Sequence, residues 1–155
     1  MLRGSTRLLR GLNLFLTAVF LVGFGCHSSY SGDIRDPAQE FNICEAVFRY
    51  QFKFQPSPEK RGGKPFYLTI GGKDPTEEFM LRFRDSSRPI LRGSEFKVGT
   101  GTLFHIQTIT WLDTDTAEVY GGHYVGDLSA SWHVYHVSRR NGTWVVDKDE
   151  IKVIS

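Results

Sequence analysis

The chain has 155 residues, 40% hydrophobic, 23% charged and 14% aromatic, which excludes a disordered, collagen-like or disulfide-framed protein and suits one globular domain. The net charge of +2 belongs to the start of the chain: without Arg3, Arg7 and Arg10, 16 basic residues stand against 17 acidic ones. The remaining basic residues, Lys60, Arg61, Lys64 and the run Arg82, Arg84, Arg88, Arg92, are interleaved with Glu59, Glu77, Glu78, Asp85 and Glu95, so no nucleic-acid partner is expected.

Residues 1–25 read as an export signal, with three arginines ahead of an apolar stretch from Leu12 to Phe24 and the small residues Gly23 and Gly25 before Cys26. The apolar stretch is shorter than the roughly 20 residues a membrane span needs, so cleavage is expected. Leu21-Val22-Gly23-Phe24-Gly25-Cys26, followed by the polar run His27 to Gly32, resembles the leader and tether of a bacterial lipoprotein. The resemblance implies a lipid on Cys26, a membrane partner reached through that anchor, and a place in the bacterial cell envelope. Gly23 stands where a lipoprotein box usually carries Leu, so cleavage without lipidation and an uncleaved anchor stay open. With Cys26 acylated, Cys44 is a lone apolar-flanked thiol; with Cys26 free, the two can form one disulfide.

Residues 26–35 read as a polar tether and 36–155 as a single domain. Asp36-Pro37 supplies an N-cap and a proline for the first helical position, with Gln39 where a capping box wants Glu or Gln. Phe41, Cys44, Val47, Phe48, Tyr50, Phe52 and Phe54 then make a broadly apolar helix that stops before Pro56. Gln55 to Pro65 reads as a loop and Phe66 to Ile70 as a short strand. In Gly71-Gly72-Lys73-Asp74-Pro75-Thr76-Glu77, Asp74 is expected to cap a second helix through Phe83, with Glu77 completing the box.

From about Ile90 the pattern has period two. Leu103–Leu112, Ala117–Tyr120, Ser129–Arg139, Thr143–Asp147 and Ile151–Ile154 read as strands, and Asn141-Gly142 is the strongest hairpin signal. The expected fold is α+β: an N-terminal helix packed in a curved antiparallel sheet of about five to six strands, with one further short helix. This order of elements resembles the cone-shaped fold shared by nuclear transport factor two, ketosteroid isomerase and polyketide cyclases, with cystatin-like packing as a near neighbour. The pieces Phe66–Ile70, Asp74–Phe79, Gly121–Tyr124, Leu128–Ser131 and Asn141–Val146 are similar to an uncharacterised family of bacterial envelope domains, which carries no assigned activity.

Few residues suggest chemistry. His133 and His136, three apart on a strand, point to opposite faces, so no metal or other cofactor is expected. The segment from Gly121 to Trp132 holds three glycines that mark a bulge or bend, and His123, Tyr124, Asp127, Trp132 and His133 are the candidate ligand-binding residues around it. Two functions follow. One is a non-catalytic ligand- or protein-binding module, exported and lipid-anchored. The alternative is a small acid–base enzyme with a pocket in the cone, drawing its base from Glu45, Glu118 or Asp127 and its donors from Tyr50, Tyr124 or Tyr135.

Overall fold

The computed structural model describes residues 36–54, 63–126 and 129–154; the expected export signal, Cys26, the expected tether, Asp127 and most of the expected Gln55–Pro65 loop lie outside the described residues. The first described helix, α1 (Pro37–Phe54), begins well into the chain, which does not support the expectation of an N-terminal helix. Asp36 opens it by accepting the Ala38 N–H on Oδ1 at 3.0 Å. Gln39 closes no capping box. Its Oε1 accepts the indole N–H of Trp144 at 2.8 Å, the partner a nearly buried tryptophan requires.

Ile43, Cys44, Val47 and Phe48 recur every three or four residues and are fully buried, as a helix with one apolar face demands. They meet Phe104, Ile106, Val119, Tyr135 and Val137 of the sheet. Rings fill the rest: Phe48, Phe52, Phe66, Phe79, Phe83 and Phe104 pack with centroids 4.9–6.3 Å apart. Each such ring contributes about 1.5–3 kcal/mol by leaving water, so this cluster is the main anchor between helix and sheet.

The sheet has six strands: β1 (Phe66–Ile70), β2 (Ile90–Arg92), β3 (Thr102–Trp111), β4 (Thr116–Gly126), β5 (Ser129–Arg140) and β6 (Thr143–Ile154), in the spatial order β2-β1-β3-β4-β5-β6. It is mixed, which corrects the expectation of an antiparallel sheet. β1 runs parallel to both β2 and β3, and only β3 to β6 form an antiparallel meander. Between β1 and β2 the chain passes through α2 (Glu77–Met80) and a 3-10 turn, Leu81–Phe83, and such a crossover returns it to the same end of the sheet. Thr76, not Asp74, caps α2 by accepting the Phe79 N–H at 3.3 Å. Asp74 stands two residues too early and instead receives the Ser94 N–H at 2.8 Å and its hydroxyl at 2.6 Å.

The β5–β6 hairpin turns on Asn141 and Gly142, with φ of 50° and 79°, the pair of positive angles a type I′ turn needs. The two short strands expected after it are one continuous strand. β6 bulges twice: partners step from Val137↔Val146 to His136↔Lys148, and from His133↔Ile151 to Trp132↔Val153, leaving Asp147 and Lys152 as the extra residues. The glycines expected to bend the chain lie inside β4. At Gly122 an added Cβ would stand 1.9 Å from the Ser131 carbonyl oxygen, so this position admits the neighbouring backbone more closely than any side chain allows.

Candidate functional site

Side chains alternate along a strand, so Ser131, His133, Tyr135 and Val137 of β5 share the helix-facing side while Trp132, Val134 and His136 take the other. On β4, His123 lies across from Ser131; on β6, Asp149 lies across from Tyr135. These pairings produce a chain of hydrogen bonds on the inner face. His123 Nδ1 is 2.9 Å from Ser131 Oγ, which is 2.8 Å from His133 Nε2, and His133 Nδ1 is 2.5 Å from Asp149 Oδ1.

The chain has a direction. An ionised carboxylate only accepts, so His133 donates its Nδ1–H to Asp149, and in the neutral ring Nε2 is left to accept the Ser131 hydroxyl proton. The Ser131 oxygen is then available to accept from His123. His133 stacks parallel on Tyr135, 5.4 Å between ring centroids, which fixes the plane of the imidazole.

Two residues of α1 close the group. Gln51 donates from Nε2 to the Tyr135 hydroxyl at 3.0 Å and to the Gly122 carbonyl at 3.3 Å, and its Oε1 is buried with no hydrogen-bond partner among the described residues. Tyr50 meets Asp149, and its phenol is held above the usual range by burial and then by that carboxylate's charge. Burial pushes the Tyr135 phenol up as well, against the opposing effect of the Gln51 hydrogen bond, so both tyrosines stay protonated donors. Asp149 is more open than His133: its side chain keeps 21% of its surface, against 12%.

Of the expected site residues, the four that are described, His123, Tyr124, Trp132 and His133, divide between the two faces of the sheet. His123 and His133 come together through Ser131, but Tyr124 and Trp132, each the chain neighbour of one of them, fall on the outer face for that reason. Tyr124 packs edge-on to Phe96 there, and Trp132 lies against Tyr120 and His105. Two of the expected bases, Glu45 and Glu118, are elsewhere too, and the third, Asp127, lies outside the described residues. Glu45 is bound to Arg49 and Arg82, and Glu118 faces His136 on the outer side. The carboxylate that does meet a histidine and a tyrosine is Asp149, which the sequence reading did not single out.

His133 and His136 do face opposite ways, and among the described residues no three histidine, cysteine, aspartate or glutamate side chains converge as metal ligands. Cys44 is a buried free thiol; burial and then the Glu40 charge push it up to about 12, so it is protonated and unreactive at neutral pH. No described helix is long and apolar enough to cross a membrane. Compared with family models, with curated proteins and with solved structures, the chain matches none.

Proposed function

We propose that this chain is an exported, lipid-anchored envelope protein, similar to the uncharacterised envelope domains named above, and that its cone-shaped domain is an acid–base site for a small molecule. The observation that carries the chemical half is the His133–Asp149 pair: a carboxylate on Nδ1 fixes the tautomer and the orientation of the imidazole, which a positioned general base requires. Ser131 and His123 extend that pair by two hydrogen bonds, and Tyr50 adds a donor at the open end. The leader and Cys26 support the anchoring half.

A general base can be read without knowing the natural substrate. 5-Nitrobenzisoxazole loses its ring C–H proton to a bound base and opens to a coloured cyanophenolate. The full domain accelerates this reaction over buffer, and His133→Gln lowers the rate at least about 100-fold, the lower end for loss of a positioned base, with Asp149→Asn lowering it in the same direction. A rate equal in wild type and both variants would refute the base. Intact mass of the mature chain tests the anchor: a diacylglyceryl adduct on Cys26 is expected, and an unmodified Cys26 would refute it.

The second reading, a non-catalytic binding module, is favoured by the burial of Ser131 at 6% and Tyr135 at 2% exposure, since an enclosed hydrogen-bond network also serves to orient a packed core.

A further inference from the structure

The order of atoms in the inner-face chain carries more than a base. His133 presents Nε2 to a hydroxyl and Nδ1 to a carboxylate, with both contacts at hydrogen-bond distance. That is the arrangement in which a serine becomes a nucleophile: the imidazole takes the hydroxyl proton while the carboxylate steadies the cation that results. Ser131 and His133 are two apart on β5 and so share a face, and Asp149 arrives from β6. His123 Nδ1, 2.9 Å from Ser131 Oγ, is a second contact to that oxygen and helps hold the hydroxyl with its proton toward His133.

We infer that Ser131 is a catalytic nucleophile for small carboxylic esters, with His133 as its base and Asp149 as the residue that positions His133; the inference deepens the acid–base reading of the same site. Ser131 Oγ adds to the ester carbonyl carbon as its proton passes to His133 Nε2. The carbon–oxygen bond to the alcohol then breaks, and the alcohol leaves with that proton. Water attacks the Ser131 ester by the same route, giving the carboxylic acid and free Ser131, so the sum is ester plus water to acid plus alcohol. An ester suits this site better than an amide because its alcohol is the easier group to expel. The 6% exposure of Ser131 restricts the acyl part to a small one.

Diisopropyl fluorophosphate tests the nucleophile directly, because attack by Ser131 forms an oxygen–phosphorus bond, expels fluoride and leaves a stable adduct. Intact mass and peptide mapping of the full domain are expected to place one adduct on Ser131. Ser131→Ala abolishes it, His133→Gln slows it at least about 100-fold, and Asp149→Asn slows it with recovery in Asp149→Glu. Ser86→Ala labels like wild type, and circular dichroism confirms that each variant is folded. No adduct on folded wild type, an adduct on another residue, or equal labelling of His133→Gln would overturn the inference. If the unlabelled wild type still opens 5-nitrobenzisoxazole, the general base stands and only the nucleophile falls; if it does neither, both fall.

Discussion

Asp149 Oδ1 lies 2.5 Å from His133 Nδ1, yet the two are not direct partners across the strands: His133 pairs with Ile151, and Asp149 pairs with Tyr135. The contact is diagonal, within the reach of an imidazole and a carboxylate on one face of an antiparallel pair. Counting back from the hairpin turn shows what allows it. With no extra residue in β6, Lys148 would stand across from Tyr135, and the bulge at Asp147 moves Asp149 there instead.

A charge-assisted hydrogen bond of this kind contributes to stability as well as chemistry. A double-mutant cycle with Asp149→Asn and His133→Gln, followed by urea unfolding, is expected to give a coupling of about 1–3 kcal/mol. A coupling near zero would mean that the two side chains do not hold each other in solution.

Gln51 links α1 to the Tyr135 hydroxyl. Gln51→Leu leaves the Gly122 carbonyl without that donor and is expected to cost about 1–3 kcal/mol. Adding Tyr135→Phe should cost less in the Gln51→Leu background than in wild type, since the shared hydrogen bond is already gone. Chemical denaturation of the two single variants and the double variant measures this.

Two glycines of β4 separate space from conformation. Gly122→Ala forces a methyl to within 1.9 Å of backbone and is expected to cost about 3 kcal/mol or more. At Gly126 the added methyl meets only a Val98 methyl at 3.4 Å, so Gly126→Ala should stay within about 0.5 kcal/mol of wild type. Thermal melts of the pair test the contrast.

His105 makes stability depend on acidity. Burial against Trp132, and then the charge of His133, depress it from 6.5 to about 4. Below about 6.5 the unfolded chain takes up a proton that the folded ring refuses. Its contribution is therefore complete above about pH 6.5 and is lost as the pH falls to about 4. Allowing for partial exposure, the loss is about 2–3 kcal/mol. Unfolding free energies from pH 7 to pH 4 should fall less steeply in His105→Leu than in wild type, and equal slopes would refute the assignment.

Much of the fold was legible because local chemistry and tertiary packing agree. The three- and four-residue spacing of Phe41, Cys44, Val47 and Phe48, the Asp36 cap and the Asn141-Gly142 turn each specify their element without outside help. The parallel pairing of β1 was not legible, since nothing in Phe66–Ile70 distinguishes a parallel from an antiparallel neighbour. Asp149 was hidden in Asp147-Lys148-Asp149-Glu150, which is polar at every position and reads as a break between strands. One signal was available: Ser131 and His133, two apart, had to share a face, whereas His123 with Tyr124, and Trp132 with His133, could not.

The long strand β6 ends the sheet and, among the described strands, has a neighbour on one side only. A straight border of that length is a template on which further chains can stack into filaments. The two bulges interrupt its spacing, and Lys148 and Lys152, drawn to Glu150, set charge along it. The same irregularity that brings Asp149 to His133 therefore also guards the protein against templated self-association.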